Sequence, residues 1–349
     1  MNQSDQRSAS PGSVRAAPQV VHVVAKSGGL SRALMFVLGL FLFAGVFVVG
    51  LTIGLTMMFA ISNVPTAILE EVYRDGDRNN VAVIPIVGII ESGKAAYVRS
   101  AVDYALQQSN IRAIVLRVDS PGGGVTSSDQ IWYEIERLKK AGLPIIASYG
   151  GVAASGGYYV SCGADEIVAE PTCITGSIGV IAQIFTFEGL MDKVGIEPVT
   201  LVATGSPEKN TANDLFRSWN DKDRQKILTM LDAAYDTFNQ RVKDGRKTAI
   251  TDAATIDALA DGSIFTAQAA VANGLVDRIG YLDDAITRAE TAAGLRVGSS
   301  TVVYLRQPPS FSDMLMAHEQ PRPASLLDAD TIRSFVNDLG SPRVMYLMR

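Results

Sequence analysis

AIVLRVDSPGGGV (residues 113–125) runs from a buried strand into a glycine-rich loop and ends where a helix is due to begin. Ala113–Val118 is short, apolar and rich in β-branched residues, the pattern of a strand covered on both faces. Upstream, Val81–Ile90 (VAVIPIVGII) reads the same way, and between the two Val98, Val102, Ala105 and Leu106 recur at helical spacing within Val98–Gln108. Downstream, Ser127–Lys140 puts Ile131, Ile135 and Leu138 on one helical face, with capping-box spacing between Ser127 and Gln130. Pro144–Ser148 predicts a strand, Ala154–Cys162 a short helix, Glu166–Ala169 another strand, and Pro198–Ala203 one more. This β-α-β-α order predicts an α/β fold around a mainly parallel sheet with both faces covered. A long helix is expected over Asp221–Val242, with Ile227, Met230, Leu231, Ala234, Tyr235 and Phe238 forming a core-facing stripe.

The N-terminal part has a different character. Residues 1–32 are polar and rich in Ser, Pro, Gly and Ala, which predicts a disordered tail. Ala33–Ile61 carries no charged residue in 29 positions. As a helix it spans about 43 Å, enough to cross a bilayer with some tilt, and longer than the apolar core of a cleaved signal peptide. Arg7, Arg15, Lys26 and Arg32 precede it against Asp5 alone, while Glu70 and Glu71 follow. The positive-inside rule then puts the N-terminus in the cytoplasm and the body outside, in a bacterium the periplasm or outer face of the inner membrane. Residues 62–79 read as a linker and 80–298 as one catalytic domain. Residues 299–349 are a proline-rich extension without an assigned role.

Composition removes several function classes. The net charge of -5, with both signs spread along the body, leaves no basic footprint for nucleic acid. Cys162 and Cys173 form no CxxC or His/Cys cluster, so a zinc site is not indicated. They read as small buried apolar residues, with a disulfide as the alternative in an extracytoplasmic domain. Histidine occurs only at His22 and His318, so no Ser–His–Asp triad can form within the body.

Three glycine-rich loops follow predicted strands, where α/β enzymes gather their chemistry. In Asp119-Ser120-Pro121-Gly122-Gly123-Gly124, glycines free the backbone amides to face an anion or developing oxyanion, or simply make a tight turn. In Gly150–Tyr159, Ser155 stands among Gly and Ala at a strand-to-helix turn, as a nucleophile requires or as a helix cap would. The third loop is Thr175–Val180, around Ser177. A serine nucleophile needs a base, and with histidine excluded a lysine is the best remaining candidate. Lys139 and Lys140 close a helix, and Lys222, Lys226, Lys243 and Lys247 lie on or beside a polar helical face. Lys209, in a polar loop after the strand expected at Pro198–Ala203, is the candidate base, with Lys193 second.

The blocks DSPGGGV (119–125), GGVAASGGYYVSCGADEIVAEPTCITGSIGV (150–180) and DGSIFTAQAAVANGLVDRIG (261–280) resemble the signal peptide peptidase A family in its short form, with one protease domain per chain. The resemblance implies a ClpP/crotonase-like fold of repeated β-β-α units and a Ser–Lys dyad that needs no metal or nucleotide cofactor. Carried over by position, Ser155 is the nucleophile and Lys209 the base. Gly122, Gly123 and Gly156 supply the oxyanion hole, and Ser177 lines the site. The family's lysine usually follows a glycine by three residues, whereas Lys209 follows Gly205 by four. The implied substrates are remnant signal peptides or other short apolar peptides. The implied partners are the lipid bilayer, through residues 33–61, and further copies of the chain in a ring. An acyl-thioester enzyme and a non-catalytic membrane scaffold on the same fold are the alternative readings.

Overall fold

The computed structural model describes residues 29–62, 68–308 and 345–347, and the chain divides into two units, Met1–Val64 and Pro65–Arg349. In the first unit α1 (Gly29–Ser62) is one continuous helix. Its Phe36–Ile53 window has a mean hydropathy of 2.6, and α1 is long and apolar enough to cross a membrane. The side chains of Phe36, Phe41, Phe43 and Phe47 stand exposed around it, as on a helix whose natural surroundings are apolar. The tail expected over 1–32 lies mostly outside the described residues.

The second unit is built on a mainly parallel sheet. Its elements in chain order are β1 (Leu69–Arg74), β2 (Asp77–Val87), α2 (Ser92–Gln107), β3 (Ile111–Ser120), β4 (Gly122–Gly124), α3 (Val125–Lys140), β5 (Ile145–Ala154), α4 (Gly156–Ser161), β6 (Glu166–Ala169), β7 (Ile174–Gly176) and α5 (Glu188–Val194). Then follow α6 (Asp221–Arg246), α7 (Ala253–Leu259), β8 (Ile264–Thr266), α8 (Ala267–Ala272), β9 (Arg278–Ile279), α9 (Leu282–Ala292), β10 (Ser300–Arg306) and β11 (Met345–Leu347). The main sheet runs β1-β10-β2-β3-β5-β6-β9, with β7 beside β5 and β8 beside β7. Only the β1–β10 and β7–β8 pairs in it are antiparallel. This is the α/β arrangement expected from the alternation of elements.

The two-residue period of the strands feeds two cores. Ala82, Ile84 and Ile86 of β2 and Ile114, Leu116 and Val118 of β3 pack with α2, α3 and α4 on one face. Val81, Val83, Ala113 and Val115 turn to the other face, onto Ala285, Ile286 and Ala289 of α9. Burying each Val or Ile stabilises by about 1.5–3 kcal/mol, so the central strands anchor whatever their carboxyl ends carry.

Several local expectations are corrected. The sheet extends beyond 80–298: β1 comes from the expected linker and β10 from the expected extension. β1 (LEEVYR) is an exposed edge strand whose charges hide its pairing from a periodicity reading. Ser127 does not cap α3, because the helix already begins at Val125 and its N-cap is Gly124. Residues 198–203 form no strand; Val199 and Leu201 are exposed there and no ladder partner is offered. The apolar stripe of α6 is only partly covered: Phe238 is buried, Ile227, Leu231, Ala234 and Tyr235 are half-buried, and Met230 lies about half exposed. Cys162 and Cys173 are free and buried, and burial pushes both thiols up to about 12.

Glu290 of α9 shows how β10 is tied in. Its carboxylate is fully buried and accepts from the Gly298 and Ser300 amides, the Ser300 hydroxyl and Arg74 of β1. Burial alone pushes its pKa up, but these donors outweigh that and hold it below the ordinary carboxylate value. A depressed folded pKa means the contribution is complete above the unfolded value of about 4.3 and is lost as pH falls through the folded one. Glu290→Ala is expected to cost about 3–5 kcal/mol, since it strands the donors and leaves a cavity. Urea melts at neutral pH and at pH 3 check this, and the gap between wild type and variant should narrow in acid.

Candidate active site

β3, β5 and β7 are parallel; past a bulge in the β3–β5 pairing Ser120 lies opposite Ala153, and Ala154 lies opposite Gly176. Their carboxyl ends therefore bring the three glycine-rich loops together. Asp119 ties the first two, its Oδ1 accepting from the Val152 amide at 3.1 Å. A Cβ on Gly150 would sit 3.1 Å from the Asp119 carboxyl carbon, so the crossing carboxylate needs a glycine beneath it.

Ser155 is the N-cap of α4, with φ 52° and ψ -116°. Few residues other than glycine adopt such a backbone, at a cost of about 1–3 kcal/mol, and such strain concentrates at functional sites. Its amide donates to the Gly176 carbonyl at 2.8 Å, and its carbonyl accepts from Tyr159 at 2.8 Å. The backbone is thus held from both sides, while the buried Oγ makes no hydrogen bond to any described residue.

The glycines around it are needed for close approach. A Cβ on Gly156 would lie 3.1 Å from the Gly122 Cα and the Gly123 nitrogen, and 2.7 Å from Ser128 Oγ. On Gly157 it would lie 2.7 Å from the Ser120 carbonyl, and on Gly123 2.1 Å from that of Ile90. Gly122, Gly123 and Gly156 are therefore brought together beside Ser155. The Gly122 amide donates to Ser120 Oγ at 3.1 Å and so is engaged within the first loop. Ser177, also at positive φ (51°), is next to the Gly176 carbonyl that holds Ser155. It lines a groove of about 860 Å3 shared with Leu231 and Tyr235 of α6 and with Asp261 and Ile264.

Lys209 lies exposed in a 3-10 turn, Pro207–Asn210, and no hydrogen bond joins it to Ser155, whose buried Oγ has no partner among the described residues. The turn is anchored locally. Arg217 donates to the Asn210 carbonyl and to both oxygens of Asp223, which also accepts from the Ala212 and Asn220 amides. The Arg217 hydrogen bonds hold the Asp223 carboxyl far below the usual carboxylate range. Lys193, in the last turn of α5, is exposed as well. Around these lysines Phe185, Leu190, Val194, Ile196, Val199, Leu201 and Phe216 all leave apolar surface open.

Two roles were not legible beforehand. Ile90 pins the glycine strand, its amide donating to Gly122 and its carbonyl accepting from Gly124. Ser128 Oγ is buried and unpartnered against Gly156. Neither belongs to a glycine loop, and only the packed structure places them there.

Comparison with known proteins gives the family. The family model described as Peptidase family S49 matches residues 137–296, and that of the NfeD1b N-terminal domain matches 80–187. "Putative protease slr0021" of Synechocystis is 34% identical over 223 residues, covering 64% of this chain and 78% of its own length. The chain belongs to peptidase family S49. Protease 4 of Haemophilus influenzae is 36% identical over 226 residues, 62% of this chain. Serine protease SPPA, chloroplastic, of Arabidopsis thaliana is 33% identical over 206 residues, 58% of this chain. The chain spans about a third of the length of these two relatives, 35% and 30% respectively. The S49 match includes Ser155, Gly156, Ser177 and Lys209, while Gly122 and Gly123 fall within the second match.

Proposed function

We propose that the chain is a membrane-anchored serine endopeptidase that cleaves short apolar peptides, remnant signal peptides among them, through a Ser155–Lys209 dyad. The observation that carries this reading is Ser155 itself: a strained backbone, a buried hydroxyl without a partner, and two glycine amides beside it. Neutral Lys209 takes the Ser155 proton as Oγ attacks the peptide carbonyl. The Gly123 and Gly156 amides receive the developing oxyanion. The lysine then protonates the leaving amine, and water, deprotonated by the same lysine, hydrolyses the acyl-enzyme. α1 tethers the catalytic unit to the inner membrane of a bacterium, with the N-terminus cytoplasmic and the catalytic unit outside.

Within one chain Ser155 Oγ has no hydrogen-bond partner, and the segment carrying Lys209 exposes a run of apolar side chains, as do Leu228 and Met230 of α6. Such a surface suits burial against another copy, and burial favours the neutral amine a lysine base requires. On this reading a homo-oligomeric ring completes each site, the lysine of one copy meeting the serine of the next. Ser155→Ala and Lys209→Ala are each expected to be inactive on an apolar fluorogenic peptide. Mixed and reassembled, they should regain about a quarter of wild-type activity if pairing is random, because some interfaces join an intact serine to an intact lysine. Inactive mixtures that form full-sized assemblies would place the base within the same chain. A folded, assembled wild type inert on a broad peptide library would favour the scaffold.

A further inference from the structure

We propose that Ser128 is a positioning residue of the peptidase site: its hydroxyl rests against Gly156, unpaired, and turns toward the charge that forms on the oxyanion. The inference rests on the peptidase reading and adds a residue to it. Among the described residues five buried side-chain polar atoms lack a hydrogen-bond partner: Arg74 Nε, Ser128 Oγ, Ser155 Oγ, Asn239 Oδ1 and Arg241 Nε. Arg74, Asn239 and Arg241 bond or pair through another atom of the same side chain. Ser128 and Ser155 have no second polar atom, so their side chains are left wholly unpaired, and both lie at Gly156.

A buried hydroxyl on a helix ordinarily bonds back to the carbonyl four residues earlier. Ser100, Ser161, Thr229 and Thr237 of this chain do so. Ser128 is fully buried in the second turn of α3 and does not. Its Oγ lies 2.7 Å from the place a Cβ on Gly156 would take, and the Gly123 nitrogen lies 3.1 Å from that same point. The hydroxyl is thus beside both glycines whose amides are assigned to the oxyanion.

The surroundings hold it there. Gly124 ends β4 and caps α3, so Ser128 follows the glycine strand by one helical turn. The next residue, Asp129, accepts from the Tyr159 hydroxyl at 2.6 Å, and the Tyr159 amide donates to the Ser155 carbonyl at 2.8 Å. This pair joins α3 to α4 next to Ser128. An O–H can still rotate about its Cβ–Oγ bond without moving any heavy atom. Buried polar groups without partners are rare and call for a cause, a catalytic role being one. In a water-excluded site a dipole beside a developing charge acts strongly and needs no reorganisation of the fold. The charge exists only in the transition state and the tetrahedral intermediate, so the hydroxyl favours turnover and not substrate binding.

The test uses the full, assembled chain. Ser128→Ala is expected to lower kcat for an apolar fluorogenic peptide about five- to twenty-fold with KM unchanged. A peptidyl boronic acid, whose boron bonds Ser155 Oγ as the hydroxyl proton leaves to the base, gives an anionic tetrahedral adduct. Its affinity should fall by the same factor. Ser127→Ala is the control, one residue away on the same helix with a half-buried side chain, and it should leave both values unchanged. It also carries the same gain in helix propensity from alanine. Thermal melts give a readout without turnover. Removing a hydroxyl that has no partner strands nothing, so Ser128→Ala should melt no lower than Ser127→Ala. A melt several degrees lower would mean that the hydroxyl is bonded in the resting chain, and overturns the proposal. Unchanged kcat and boronate affinity in Ser128→Ala, with an active wild type, overturn it and leave the peptidase reading intact. A kcat that falls with boronate affinity unchanged overturns it too, because the loss is then not at the oxyanion. A folded, assembled wild type that neither cleaves peptide nor binds the boronate sinks the peptidase reading and this proposal with it.

Discussion

Ser155→Ala is expected to lower peptide hydrolysis by on the order of 10^4-fold or more while leaving the fold intact. The loss is large because no other described group stands ready to replace the hydroxyl: Ser155 Oγ is buried and free of partners, and the other unpartnered hydroxyl, Ser128 Oγ, faces Gly156. The stability effect is small for the same reason. Removing a hydroxyl that makes no hydrogen bond strands no partner, and alanine meets the same positive-φ cost as serine. The bonds from the Ser155 amide to Gly176 and from Tyr159 to the Ser155 carbonyl are main-chain and survive. A fluorogenic assay paired with a thermal melt checks both halves. A variant that melts many degrees lower would show a structural role for the hydroxyl. One that retains activity would move the nucleophile elsewhere.

Gly123→Ala is expected to damage both stability and activity. The added Cβ would fall 2.1 Å from the Ile90 carbonyl oxygen and 2.7 Å from its carbon and nitrogen, all main-chain atoms that cannot rotate away. Either β4 separates from Ile90, losing the bonds at Gly122 and Gly124, or the Ile90 segment shifts out of a packed core. Overpacking of this kind costs about 1–3 kcal/mol, and more where backbone must move. Displacing an oxyanion donor separately lowers kcat by about 10^2–10^3-fold. Gly124→Ala is the control: its Cβ would find nothing nearer than 3.6 Å, so it should fold almost normally. Urea melts with single-turnover kinetics on both variants separate the two effects. Equal stability of Gly123→Ala and wild type would mean that the Ile90 bridge is not maintained in solution.

The sequence by itself determined the α/β alternation, the apolar span within α1 and the cluster of Gly122, Gly123, Ser155, Gly156 and Ser177. Apolar period and small-residue crowding are local properties, and each of those loops follows a strand whose own composition marks it. Tertiary structure decided what depends on distant partners. β1 and β10 join the sheet through pairing that an exposed or irregular segment does not announce, while 198–203, apolar by composition, finds no strand to pair with. The stripe of α6 reads as uniform, yet one chain fully buries only Phe238 of it. Lys209 is chosen by elimination among lysines along the chain, but its place relative to Ser155 is a matter of how chain segments and copies assemble. Likewise, Met345–Leu347 lies in the extension to which the sequence assigns no role, and its pairing with Gly122–Gly124 uses the edge that Ile90 leaves free. Local pattern specifies elements, whereas hydrogen-bond edges and buried faces are shared between segments and are settled only when the chain closes on itself.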